Sequence, residues 1–231
     1  MYSDMFCSAI IVAGGSGKRM GKPIAKQYLE LCGEPIIKRT VDVFLNSGAI
    51  DEVILVVPEG DVDKCREIFD TADKIKITAG GKERYNSVYN GVTAVNDSCN
   101  IILIHDGVRP FVTESIINSS IGNAVKYGAS IASVKSKDTV KICDENGFVV
   151  STPLRENVYS VQTPQTFKRE IIEKSFEKAF ESGVFGTDDA TLAENAGYRV
   201  FITEGSYENI KITTPEDLII GEKILESRME A

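Results

Sequence analysis

Short apolar runs bounded by turn residues alternate with helical apolar stripes along almost the whole chain, and few folds accept that rhythm. Ser8–Val12, Glu52–Val57 and Ile101–Ile104 read as buried strands, with Ile131–Val134 a fourth candidate. Between them, Ile36, Ile37, Thr40, Val41, Phe44 and Leu45 recur at helical spacing, as do Ile116, Ile117, Ile121, Ala124 and Val125. Apolar strands joined by helices predict an α/β fold, with a mostly parallel sheet covered on both faces. A last helix opens at Thr214: a threonine suits the N-cap, Pro215 the first helical position, and Glu216 and Asp217 the positive end of the dipole. With 231 residues and no repeat or linker, residues 1–231 read as one domain with a sizeable core.

The segment Lys135–Pro153 breaks the rhythm. Two extended runs flank Asp144-Glu145-Asn146-Gly147, the pattern of a β-hairpin. Val140 and Ile142 alternate with Lys141 and Cys143, as in a strand with one covered face. Together with Phe148 and Val150 they make an apolar surface that a lone hairpin cannot bury. A hairpin inserted late in a βα series projects from the main sheet, so residues 135–153 are read as a dimerisation arm.

Composition narrows the partners. Lys plus Arg number 26 against 34 Asp plus Glu, a net charge of −8, which disfavours nucleic acid and anionic membranes. A local basic pocket for a small anion is compatible with that shell. His105 is the one histidine, so no His-rich metal site and no mechanism needing two histidines is available. Cys7, Cys32, Cys65, Cys99 and Cys143 are scattered, with no Cys-x-x-Cys spacing, and read as free thiols of a reducing compartment. No leader pattern and no long apolar run is present, so the expected location is the cytoplasm.

Four stretches carry chemistry. The first strand runs into Ala13-Gly14-Gly15-Ser16-Gly17-Lys18-Arg19-Met20, where glycines let backbone N–H groups wrap a phosphate and the cations supply charge. It is not a Walker A loop, since Arg19 stands where Ser or Thr should follow the lysine, nor a dinucleotide loop, since Met20 stands where Gly or Ala is required. With Lys26 just beyond, and Lys22 either a fourth cation or solvated, the turn reads as a triphosphate site. Ile101–Ile104 continues into His105-Asp106-Gly107-Val108-Arg109-Pro110, which sets a carboxylate at the C-terminal edge of the sheet. Asp106 is there either a Mg²⁺ ligand beside phosphates, with Arg109 on a second anion, or a turn residue paired with Arg109. His105 reads as a hydrogen-bonded, part-buried residue rather than a general base. Gly80-Gly81-Lys82-Glu83-Arg84-Tyr85-Asn86-Ser87 opens a helix and could hold a base or ribose. Lys211, between Ile210 and Ile212, reads as a short-strand residue aimed away from both, into solvent or into a cleft. Several cations, one metal carboxylate and no nucleophile–base pair suit phosphoryl or nucleotidyl transfer.

These motifs, with Gln162-Thr163-Pro164-Gln165, Thr187-Asp188-Asp189-Ala190 and Asn209–Pro215, occur in the order found in the 2-C-methyl-D-erythritol 4-phosphate cytidylyltransferases. The sequence resembles that family along essentially its whole length. The resemblance implies transfer of CMP from CTP to the polyol phosphate with release of pyrophosphate, a Mg²⁺ requirement, a Rossmann-like sheet, and a homodimer joined through the arm. It places Arg19 and Lys26 on the charge developing at the α-phosphate and Asp106 on Mg²⁺. The nucleotide would lie against Ala13, Gly14, Gly15, Ser16, Gly17, Lys18, Gly81, Glu83, Arg84 and Ser87. Asp106, Gly107, Arg109 and the arm residue Thr139 would meet the acceptor, whose phosphate Arg155 and Lys211 would grip. Gly14, Ala25 and Val108 depart from the family pattern, and Gly14 and Val108 resemble the sister ribitol-5-phosphate cytidylyltransferases. Ribitol 5-phosphate is therefore the alternative acceptor, and a nucleotide-binding regulator without turnover the alternative of another class.

Overall fold

The computed structural model describes residues 5–15, 24–70 and 73–230. Residues Ser16, Gly17, Lys18 and Arg19, and with them Lys22, lie outside the described residues. The chain runs β1 (Phe6–Val12), β2 (Glu30–Leu31), β3 (Glu34–Pro35), α1 (Ile36–Leu45), β4 (Glu52–Val57), α2 (Val62–Ile68), β5 (Ile75–Ala79), α3 (Arg84–Ala94) and β6 (Cys99–Asp106). There follow α4 (Glu114–Tyr127), β7 (Ala129–Lys135), β8 (Ile142–Cys143), β9 (Val149–Ser151), β10 (Tyr159–Lys168), α5 (Arg169–Ser182), α6 (Asp189–Asn195), β11 (Phe201–Glu204) and α7 (Pro215–Met229).

A seven-stranded sheet has the order β11-β7-β10-β6-β1-β4-β5. All its pairings are parallel except those of β10, which runs antiparallel between β6 and β7. The sheet is buried on both faces, so its central strands carry apolar side chains on both. Ile54 and Val56 of β4 face one core while Val53, Leu55 and Val57 face the other. Helices α1, α2 and α4 cover the second of these faces and α3, α5 and α6 the first. Gly91 lets α3 sit close to the sheet: a Cβ there would come within 2.4 Å of Ile10 Cγ2. The expected start of α7 is present, with Thr214 accepting from the Asp217 N–H and Asp217 returning the bond in a capping box.

Chain order reverses at β1. The chain steps outward from β1 to β4 and β5, then crosses back to place β6 on the other side of β1. In an open α/β sheet the crevice beyond the strand ends at such a reversal is where ligands bind.

The hairpin is present but shorter than its sequence pattern. Ile142–Cys143 pairs antiparallel with Val149–Ser151. The turn is closed by Asp144, whose Oδ1 accepts from the N–H groups of Asn146 and Phe148, and by Gly147 at φ +86°. The hairpin extends the β7/β10 pair past its last rungs, Lys135 with Tyr159, and so stands clear of the sheet. The register sets Ile142 opposite Ser151 and Cys143 opposite Val149, with a shift between the two rungs. Ile142, Phe148, Val149, Val150 and Leu154 are all exposed, Phe148 by 73%.

Candidate active site

Val12 and Asp106, the last residues of β1 and β6, are partners in the sheet register. Two backbone bonds carry the alignment past the strands: Ala13 N–H to Val56 O at 2.8 Å and Gly107 N–H to Val12 O at 2.8 Å. The Ala13-Gly14-Gly15 turn and the Asp106 turn therefore leave the sheet side by side. Lys26 lies against the first turn, since a Cβ at Gly15 would be 3.2 Å from Lys26 Cε and 3.5 Å from its Nζ. The third wall is the start of α3. Glu83 caps it in a capping box with Asn86, and Ser87 Oγ accepts from the Gly81 N–H at 3.1 Å, tying the glycine turn to the first helical turn. These residues line one cleft with Val108 and Lys211. Its cations are Lys26, Lys82, Arg84 and Lys211 and its carboxylates Glu83 and Asp106, so positive charge gathers here on a chain of net −8.

Asp106 is the electrostatic centre. Its Oδ2 lies 2.9 Å from Lys211 Nζ and 3.2 Å from Arg109 Nε. Burial by itself raises the pKa of this carboxyl, but Lys211, Arg84 and Arg109 outweigh it and hold the group well below the usual carboxylate range. Of the two readings of Arg109, the structure shows the pairing. Its Nε meets Asp106 and its NH1 donates to Asn209 O at 2.8 Å, one layer behind the cleft wall. Lys211 also corrects an expectation. It lies outside any strand, with the Ile212 N–H bonded to Val108 O. The alternation still holds: Ile210 and Ile212 pack into an apolar cluster with Val108 and Phe111 while Lys211 turns to the cleft. Arg84 is likewise engaged. Its two terminal nitrogens donate to both oxygens of Asp189 at 2.8 and 2.7 Å, and Asp189 is 1% exposed.

His105 is buried, its ring 4.8 Å from that of Phe44. Burial pushes its pKa down to about 4, so the imidazole is neutral in the working range. Both ring nitrogens are engaged behind the cleft wall, by Thr163 Oγ1 and the Arg109 carbonyl. Thr139 and Arg155 do not line the cleft in a single copy. Arg155 lies with Lys135, Ser136, Leu154 and Glu156 around an open hollow at the foot of the arm.

The donor set bears on Mg²⁺. Among the described residues no three His, Cys, Asp or Glu side chains gather as a metal site. Asp106 would be a single protein ligand, sharing its charge with Lys211 and Arg109. Such a site fits Mg²⁺, which takes one or two carboxylates and completes its octahedron with phosphate oxygens and water.

Sequence reasoning left several site-building residues without a role. Gln165 Nε2 donates to Asp188 Oδ2 and its Oε1 accepts from the Ala190 N–H, which docks α6 on β10 and delivers Asp189 to Arg84. Gln162 Oε1 and Thr163 O both accept from Asn209 Nδ2, which fixes the segment leading to Lys211. Their signal was a polar Gln-Thr-Pro-Gln run in a position that an internal strand must occupy. A proline in such a run argues against an internal strand and masks it.

Comparison with known proteins agrees with this geometry. The family model for IspD, 2-C-methyl-D-erythritol 4-phosphate cytidylyltransferase, matches residues 7–227. A 2-C-methyl-D-erythritol 4-phosphate cytidylyltransferase of Clostridium botulinum (strain 657 / Type Ba4) is 50% identical over 222 residues, spanning 95% of this chain and 97% of the relative. One from Alkaliphilus oremlandii (strain OhILAs) is 48% identical over 227 residues, with 96% of each chain covered. Among solved structures, 4-diphosphocytidyl-2C-methyl-D-erythritol synthase from Anaerococcus prevotii DSM 20548 is similar with a TM-score of 0.89 and 39% identity, covering 97% of each chain. The 2-C-methyl-D-erythritol 4-phosphate cytidylyltransferase of Thermus thermophilus has a TM-score of 0.77 and 26% identity, covering 96% of this chain and 100% of its own.

Proposed function

The chain belongs to the 2-C-methyl-D-erythritol 4-phosphate cytidylyltransferase family, and from that premise we infer how its own residues carry out the transfer. It is a nucleotidyltransferase that moves the cytidylyl group of CTP to 2-C-methyl-D-erythritol 4-phosphate and releases pyrophosphate. The observation that carries the residue assignment is the cleft at the β1/β6 reversal. There, among the described residues, glycine-rich backbone, four cations and one buried carboxylate converge without a nucleophile–base pair. An acceptor phosphate oxygen attacks the α-phosphorus in line with departing pyrophosphate. Both reactants are anions that repel unless cations stand between them.

In this reading Lys26, held against Gly15, meets the charge that develops on the α-phosphate, together with Arg19. The N–H groups of Gly14 and Gly15 cradle the triphosphate beside Ala13, whose own N–H is held by Val56, and Gly81, Glu83 and Ser87 hold the nucleoside at the start of α3. Arg84 supports that wall through Asp189 and adds its field to the cleft. Lys211 receives the acceptor phosphate, and Asp106 orients Lys211 and the acceptor. Mg²⁺, when bound, supplies charge neutralisation on the phosphate oxygens, and Asp106 would hold it. Residues 1–231 act as one domain, and the 135–153 arm joins two copies, bringing Thr139 and Arg155 to the acceptor end of a cleft. Among the described residues no helix is long and apolar enough to cross a membrane. Five free cysteines, three of them buried, suit a reducing compartment, and we place the enzyme in the cytoplasm.

The test is pyrophosphate release measured with each nucleoside triphosphate against each polyol phosphate. Release with CTP and the erythritol phosphate alone is expected. Release with ribitol 5-phosphate instead, or tight CTP binding with no release under any acceptor, would overturn the assignment.

A further inference from the structure

His105 is the one histidine of the chain, it is fully buried, and the transfer as described gives it no part. Both of its ring nitrogens are nevertheless engaged. Nδ1 lies 2.9 Å from Thr163 Oγ1 and Nε2 lies 3.1 Å from the carbonyl oxygen of Arg109. A carbonyl only accepts, so Nε2 must carry the proton, and Nδ1 of the neutral ring is then an acceptor. Thr163 Oγ1 accepts from the Asp106 N–H at 3.1 Å, which leaves its hydroxyl hydrogen for Nδ1. The directions form one chain: Asp106 N–H to Thr163 Oγ1, Thr163 O–H to His105 Nδ1, His105 Nε2–H to Arg109 O. The opposite tautomer would turn a ring lone pair onto the Arg109 carbonyl. A charged ring would bury a cation and strand the hydroxyl hydrogen.

Thr163 is available for this because β10 is irregular. Val161 pairs with Ser133 and Gln165 with Ile131, so residues 162–164 stand opposite Ala132 alone. A bulge of this kind re-aims side chains. It sends Thr163 to His105 and Asp106 and Gln162 to Asn209, whose own carbonyl accepts from Arg109 NH1. Both ends of the 105–109 turn, and the segment that leads to Lys211, thus hang on the same two residues, Gln162 and Thr163.

We propose that Thr163 and His105 are positioning residues: an uncharged relay, locked in the Nε2–H tautomer, that fixes the Asp106–Arg109 turn and thereby sets where Asp106, Arg109 and Lys211 meet. Its kinetic consequence rests on the reading of Asp106 and Lys211 as the acceptor side of the cleft. The tautomer does not.

The test uses tag-free, full-length protein labelled with ¹⁵N at its single imidazole. Long-range ¹H–¹⁵N correlation at neutral pH is expected to show a protonated Nε2 and a bare, hydrogen-bonded Nδ1, in the wild type and in Thr163→Ser. Thr163→Val removes the hydroxyl. It should shift the Nδ1 resonance and lower kcat/KM for the polyol phosphate about ten- to a hundredfold, the cost of a small misplacement of reacting groups. CTP binding should stay within about twofold, and Thr163→Ser should restore kcat/KM to within about threefold of wild type. A protonated Nδ1, a charged ring, or Thr163→Val with wild-type kinetics overturns the proposal. If Thr163→Val does not fold, the wild-type tautomer and the Thr163→Ser kinetics still decide. A wild type that releases no pyrophosphate while showing the expected tautomer refutes the acceptor-side reading and leaves the relay standing.

Discussion

Lys211 and Asp106 are separated by almost half the chain, yet Nζ of the lysine lies 2.9 Å from Oδ2 of the aspartate, an oxygen that Arg109 Nε also reaches at 3.2 Å. The shared oxygen keeps Lys211 at the cleft while its aliphatic neighbours pack behind it. Lys211→Ala is expected to reduce kcat/KM for the polyol phosphate by about a hundredfold, typical of losing one charged donor at a reacting phosphate. CTP affinity, measured by calorimetry without acceptor, should change little. Equal losses for both substrates would show that Lys211 serves the triphosphate instead.

Lys26 lies against Gly15 at the triphosphate turn. Its effect, and that of Arg19, should fall on kcat. Each alanine variant is expected to lose about 10²–10³ in rate, because the charge they meet grows only in the transition state. Lys18→Ala should cost less. Steady-state kinetics in which kcat is kept and only KM rises would reduce both residues to ground-state binding.

The arm makes a prediction about assembly. Arg155→Ala should impair use of the polyol phosphate while sparing CTP binding. Mixed with Lys26→Ala subunits it should recover activity, since one site of each hybrid dimer would carry neither lesion. Cys143, exposed on the hairpin, reports the same event: its labelling by a thiol reagent should slow as protein concentration rises. Cys32 should stay reactive throughout. Cys7, buried and with its pKa pushed up to about 12 by burial and the nearby Asp51 and Cys99, should not react in the native protein. Verified heterodimers without recovered activity would count against a shared site.

Burial of His105 sets a pH dependence of stability. Its pKa is about 4 in the folded protein against about 6.5 in an unfolded chain, so the unfolded state binds more protons between those values. Stability from this group is full above about pH 6.5 and is lost as the pH falls toward 4. Urea unfolding should show a decrease of about 2 kcal/mol from pH 7 to pH 5, and the lone imidazole C–H resonances should not titrate over that range. A midpoint near 6.5 in the native spectrum would mean the ring is accessible to protons.

Gly91 tests the packing of α3 on the sheet, where a Cβ would meet Ile10 Cγ2 at 2.4 Å and Val56 Cγ2 at 3.2 Å. Overpacking costs about 1–3 kcal/mol and outweighs the helix propensity gained, about 1 kcal/mol for Gly→Ala. Gly91→Ala should lower the urea midpoint and Gly91→Val should lower it further. A raised midpoint would show that the helix can move away from the sheet freely.

The strands and helices legible in the sequence were those whose burial is uniform. The runs Ser8–Val12, Glu52–Val57 and Ile101–Ile104 are apolar because both faces of β1, β4 and β6 are covered, so hydrophobicity alone located them and set Asp106 at a strand end. The glycine-rich turn was legible for a similar local reason, since a phosphate-binding backbone needs glycines and cations in one short stretch. Strands β5, β10 and β11 escaped notice because they are short, partly exposed or interrupted by Pro164. Local patterning also could not state partners. Arg84 reads as a nucleotide ligand, but nothing local tells that Asp189 also pairs with it, and Arg109 reads equally as an anion site or an ion pair until Asn209 and Asp106 take its nitrogens. A sequence records which residues are charged or polar, but which of them meet depends on contacts between elements distant in the chain. The bulge at 162–164 is the plainest case. It exists only in the register of β10 against β7, and it decides where the Asp106 turn, the histidine behind it and Lys211 come together.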